Sequence, residues 1–105
     1  MKEFIFNHAV ITNVVDGDTL DAEIDVGFDF KTSQRLRLLG VNTPERGQPG
    51  YSDAKQFVID KVYSKPVQII TYEKDSFGRW LSVVIIGSES LNVTLLNEGL
   101  AIPYK

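Results

Sequence analysis

Three hydrophilic clusters break into an otherwise apolar pattern: Asp16-Gly17-Asp18-Thr19, then Arg37 with Asn42-Thr43-Pro44-Glu45, then Gly78-Arg79. Together their side chains suit one kind of chemistry. By the two-residue alternation of a strand, Asp18 falls on the same face as Leu20, Ala22 and Ile24. Its carboxylate is therefore aimed at the core side, where an anion is costly unless it meets a cation. A hard divalent ion such as calcium resolves that cost with oxygen ligands alone, and Asn42 can add a neutral oxygen. Arg37 and Arg79 carry guanidinium forks that grip phosphate oxygens in bidentate fashion and stay charged at any working pH. Glu45 is then the carboxylate left to orient or deprotonate a water for in-line attack on phosphorus.

Each cluster also has a plain structural reading. Asp-Gly is a frequent turn pair, and Asn-Thr-Pro-Glu can open a helix. A strand arginine often snorkels or pairs with a neighbouring acidic face, here Asp21, Glu23 and Asp25. His8 reads as structural or surface, and Tyr72, Trp80 and Tyr104 read as core or rim aromatics. Singly the clusters decide nothing; their joint order does.

The 105-residue chain fits a single domain, residues 1–105, around one core. Cysteine is absent, which excludes disulfides and thiolate metal sites, and the lone His8 cannot build a zinc site. A net charge of −3 supplies no general positive field for nucleic acid or anionic membrane. Any phosphate chemistry must rest on a local site. The opening MKEFIFNHAV holds too short an apolar run for a signal peptide or a membrane span. A cytoplasmic monomer with no membrane partner is the expectation.

The elements that must position these residues follow from periodicity. FIFNHAVITNVV, residues 4–15, reads as a strand ended by Asp16-Gly17. Leu20, Ala22, Ile24 and Val26 then alternate with Asp21, Glu23 and Asp25, giving a half-buried strand with an acidic outer face. GFDFKTS reads as a loop, and QRLRLLGV as a third strand. In YSDAKQFVIDKVYS the residues Tyr51, Ala54, Phe57, Val58 and Val62 fall at helical intervals, up to Ser64-Lys65-Pro66. VQIITYE and RWLSVVII are two further strands about the turn from Lys74 to Gly78, and LNVTLLNEGLA is a short helix stopped at Gly99. The order predicts a β-dominated α+β domain. Its expected form is a five-stranded barrel of the OB type, with one helix between strands three and four and a short C-terminal helix.

Taken in order, DGDT, RLLGVNTPE, DSFGR and NEGLA, within residues 9–101, closely resemble the staphylococcal nuclease-like (thermonuclease) family. Its signature is an acidic DGDT turn, an R-L-x-G-[IV]-[DN]-[TA]-P-E strand exit and a [KR]-x-[YF]-G-R turn. The resemblance implies an OB-fold barrel that hydrolyses DNA and RNA phosphodiesters using calcium. Carried over residue by residue, it implies Asp18 as a metal ligand, Asp16 nearby in the same turn, and Thr43 contributing its backbone oxygen. Asn42 stands where the best-known members have Asp, one negative ligand fewer. Arg37 and Arg79 would bind phosphate and Glu45 would act on the attacking water, while Tyr104 is the one candidate for a substrate-contacting tyrosine. Ser76 and Phe77 replace a usual lysine and tyrosine, the RGQPG segment is short, and the family's third, C-terminal helix has no counterpart. These departures imply weaker substrate affinity. The competing expectation is an OB barrel that keeps the phosphate contacts without turnover, as a nucleic-acid-binding or protein-interaction module.

Overall fold

Alternating apolar residues build the sheet in the computed structural model, which describes residues 2–104. Strand β1 (Phe4–Asp16) buries Ala9, Ile11 and Val14, β2 (Thr19–Gly27) buries Leu20, Ala22 and Ile24, and β3 (Phe30–Leu38) buries Leu36 and Leu38. A two-residue strand β4 (Val41–Asn42) and helix α1 (Tyr51–Val62) follow. The chain continues through β5 (Pro66–Lys74), β6 (Trp80–Ile86), the short β7 (Glu89–Ser90), helix α2 (Leu91–Asn97) and the short β8 (Ile102–Pro103).

The antiparallel order β3-β2-β1-β5-β6 closes on itself because β3 and β6 also pair, in parallel, through Leu36–Trp80, Arg37–Leu81 and Leu38–Ser82. Closure leaves no open edge among the five strands. The expected barrel is therefore present, with α1 between its third and fourth strands and α2 near the end. Ala54, Val58 and Val62 form the buried stripe of α1, and Leu91 and Leu95 that of α2. Ser90 caps α2 by accepting the Val93 N–H at 3.3 Å, and Gly99 ends the segment at φ 72°, in the left-handed region. No described helix is long and apolar enough to cross a membrane.

Three local expectations are corrected. GFDFKTS is not a loop: β3 starts at Phe30, and Ile24–Thr32 and Asp25–Lys31 pair within a tight hairpin. Its turn is Phe28-Asp29, with φ 56° and 63°, so two side-chain-bearing residues occupy a conformation usually signalled by Asn or Gly. The hairpin runs past the core, which leaves Val26 exposed rather than buried. Finally, the third strand stops at Leu38; Gly40, at φ 79°, swings the chain into β4, which pairs with β8.

Candidate active site

The turn from β1 into β2 carries Asp18, and Gly17 makes that turn possible by size. Gly17 lies outside the left-handed region, but a Cβ there would meet Thr43 Cγ2 and Oγ1 at 3.0 Å and the Ala54 Cβ at 3.1 Å. The turn thus presses against both the β4 exit and α1, where any side chain would have to push Thr43 and Ala54 aside. This contact seats Asp18 beside Thr43. Asp18 Oδ2 accepts the Thr43 N–H at 3.0 Å, and Oδ1 accepts the Thr19 hydroxyl at 3.1 Å. Asp16 accepts the Tyr51 hydroxyl at 2.8 Å, a contact from α1 that the sequence pattern did not suggest.

Arg37 is buried, at 7% exposure. Its Nη1 donates to the carbonyls of Leu38 at 3.0 Å and Val41 at 2.7 Å, and Nη2 donates to Asn42 Oδ1 at 2.9 Å. A guanidinium only donates, so the oxygen of the Asn42 amide must be the atom that faces it. Asp18 Oδ2 lies 3.4 Å from Nη2, which compensates the buried charge. Tyr104 packs its ring 5.4 Å from the guanidinium carbon and is pinned there by its N–H, which donates to Gly40 at 2.9 Å.

Arg79 is positioned by a residue that composition suggests only as a turn former. Asp75 Oδ1 accepts the N–H groups of Phe77 and Arg79, each at 2.9 Å, while Oδ2 accepts Arg79 Nε at 2.8 Å. Burial opposes ionisation of Asp75, but the backbone donors from Arg79 and Phe77 and the Arg79 guanidinium outweigh it and hold the carboxyl below its ordinary value of 3.8. Behind both arginines, buried Asn92 on α2 ties the strand exits together. Its Nδ2 donates to Leu39 at 2.9 Å and Ser82 at 3.0 Å, and its Oδ1 accepts the Val84 N–H at 3.2 Å.

These pieces meet in one cleft of about 240 Å³. Asp16, Asp18, Arg37, Asn42, Thr43, Glu45, Arg79 and Tyr104, all singled out by sequence, line it. Glu45 is exposed, and its own N–H is anchored by Gln48 Oε1 at 2.8 Å. His8, Tyr72 and Trp80 do not line it. Among the described residues no three Asp, Glu, His or Cys side chains converge on a ready-made metal cage. The acceptor atoms are nevertheless all oxygen, and the buried Thr43 hydroxyl beside Asp18 has no hydrogen-bond partner among the described residues. That chemistry fits a hard cation bound by few charges and completed by an anionic ligand.

A family model described as "Staphylococcal nuclease homologue" matches residues 35–105, the stretch that runs from β3 through the cleft's strand exit to Tyr104 and beyond. The chain belongs to the staphylococcal nuclease homologue family. Staphylococcal nuclease homologues similar to it include the thermonuclease of Staphylococcus intermedius, 36% identical over 100 residues that cover 88% of this chain and 56% of that protein. The micrococcal nuclease of Shigella flexneri is 29% identical over 104 residues, 90% of this chain and 57% of that protein. An uncharacterized endonuclease of Haemophilus influenzae is 30% identical over 99 residues, 94% of this chain and 53% of that protein. The chain thus spans little more than half the length of these relatives.

Proposed function

We propose that this chain is a calcium-dependent nuclease that hydrolyses phosphodiester bonds of DNA or RNA by attack of water. The observation that carries the reading is the division of labour in the cleft. Two guanidinium groups are held in place by their own partners, a buried carboxylate stands at Asp18, and Glu45 is exposed on the wall with its side chain unpaired among the described residues. Relatives named thermonuclease, micrococcal nuclease and endonuclease support the same class of reaction.

Asp18 and the backbone oxygen of Thr43 would hold calcium, with Asp16 adding negative charge nearby, and the Asn42 oxygen, which accepts from Arg37, would join them through its second lone pair. The bound ion would supply Lewis-acid stabilisation for the charge that builds on phosphorus-bound oxygen. Arg37 keeps its Nε–H and one Nη2–H free of neutral partners, and these face the phosphate as a fork. Arg79 meets a second oxygen of the same group. Glu45 accepts the proton of the attacking water as the new O–P bond forms, and the opposite P–O bond breaks in line. The departing oxygen then takes a proton from solvent. Tyr104 flanks the phosphate site and offers its ring to the adjoining nucleoside.

The test is to incubate single-stranded DNA with the protein in calcium and, separately, in excess chelator. Fragments are expected only in calcium. Undiminished cleavage in chelator contradicts the metal assignment; absence of cleavage in both, with binding that depends on Arg37, would leave a binding module.

A further inference from the structure

The cleft is the middle of a longer trough. On one flank a depression of about 270 Å³ shares Arg37, Arg79 and Tyr104 with it and adds Phe77. On the other, a depression of about 350 Å³ shares Asn42, Thr43 and Pro44 and is completed by Gln48, Pro49 and the segment from Gly99 to Ile102. The two flanks have no residue in common, so the phosphate groups lie between them.

Their chemistry differs. The first flank carries Arg37, Arg79 and the aromatics Phe77 and Tyr104, with Asp75 paired to Arg79, and suits phosphate and a stacked base. The second has no charged side chain in its lining. It therefore offers nothing to a further phosphate and suits the uncharged part of a nucleotide. Its volume falls within the usual small-ligand range of about 300 to 1,000 Å³. Pro44 and Pro49 stiffen one wall, and the approach is tight enough that a Cβ at Gly50 would lie 3.2 Å from Pro44 Cγ. Ile102 on β8 forms part of the opposite wall and is 64% exposed, apolar surface that no described element covers. Polar groups are present as well. The side-chain oxygens of Asn42 and Gln48 are taken by Arg37 and by the Glu45 N–H. Their NH₂ groups, which have no acceptor among the described residues, remain as donors for a base edge.

We propose that this flank, built by Pro44, Pro49, Leu100 and Ile102, is a second nucleoside subsite. It takes the base and sugar on the far side of the scissile phosphate from the residue that meets Phe77 and Tyr104. The inference rests on the nuclease reading of the central cleft.

The experiment compares binding in chelator of the dinucleoside phosphate TpT with the 3′ and 5′ methyl phosphodiesters of thymidine, which carry the same single charge but one nucleoside. The parent should bind TpT about tenfold more tightly than the better methyl ester, the discrimination one apolar subsite affords. TpT, and of the two methyl esters only the one whose nucleoside lies on this side of the phosphate, should shift the backbone amide NMR signals of Leu100, Ala101 and Ile102. Ile102→Trp, which fills the depression from an already exposed position, should lower TpT binding to the level of the methyl ester whose nucleoside meets Phe77 and Tyr104, and should leave that ester unchanged while weakening the other. Equal binding of all three ligands by the parent, or an equal loss of all three in the variant, would overturn the subsite. A parallel cleavage assay of pentathymidylate in calcium separates the two readings. Cleavage without discrimination removes the subsite and keeps the nuclease; discrimination without cleavage removes the nuclease and keeps the subsite.

Discussion

Arg35 and Arg37 stand on the same strand and the same face of β3, opposite the buried Leu36 and Leu38, yet they meet very different surroundings. Arg35 lies on the open sheet, where Nε and Nη2 reach the two oxygens of Asp21 at 2.8 and 3.1 Å. Its hydrogen bond is the main reason that the Asp21 carboxyl sits below its ordinary value. Both members of the Arg35 Nε–Nη2 fork are thereby taken by one carboxylate, whereas Arg79 gives only its Nε to Asp75. Arg37 is covered by the chain as it swings through Gly40 into β4, so its Nη1 is satisfied by two carbonyls and its Nη2 by a neutral amide. Asp18 stands at 3.4 Å, close enough to compensate the charge without occupying the fork. What would let Arg37 serve as the proposed phosphate fork is backbone that fixes the side chain without cancelling it.

Substitution should separate the two positions widely. Arg37→Ala is expected to lower single-turnover cleavage by about 10² or more, because the fork meets charge that grows as water attacks. Arg37→Lys should recover only part of this, since an ammonium keeps charge but not bidentate geometry. Cleavage within about twofold of the parent in either variant would place Arg37 outside the reaction.

A smaller effect is expected where positioning rather than contact is removed. Asp75→Asn loosens Arg79 and should cut turnover on the order of tenfold, with a measurably lower melting temperature at neutral pH. Acid gives this a signature. The folded carboxyl ionises below its ordinary 3.8, so Asp75 contributes stability above about pH 4 and loses it as pH falls through its lowered folded value. The melting difference between parent and variant should shrink over that window, and a pH-independent difference would contradict the ion pair.

The smallest effect belongs to Arg35. Arg35→Ala removes an exposed pair and should cost about 0.2 to 1 kcal/mol of stability, less at high salt, with turnover unchanged. Loss of cleavage comparable to that of Arg37→Ala would erase the distinction between the two arginines.

Much of the site was legible because chemistry-bearing residues sit where regular periodicity stops. Asp18, Asn42, Glu45 and Arg79 all lie at or just beyond strand ends, and the barrel followed from the order of three strands, a helix, two strands and a short helix. Other features carry no local pattern. The Phe28-Asp29 turn lacks the Asn or Gly that marks such hairpins, so Phe30 to Ser33 looked like loop. Strand β8 is two residues long and contains a proline, and only its pairing with β4 makes it a strand and brings Tyr104 to Arg37. Gly17 resembled a turn residue because its reason, the approach of Thr43 and Ala54, is entirely tertiary. Asp75 was hidden in the same way, since it acts through Arg79.

The assignment of Glu45 as the group that activates water is tested most directly by Glu45→Gln, which keeps the shape of the side chain and removes its basicity. Binding of single-stranded DNA and single-turnover cleavage in calcium are measured separately on a variant whose melting curve matches the parent. Turnover is predicted to fall by about 10² to 10⁴ while affinity stays within a few-fold. Cleavage at the parental rate would contradict the account.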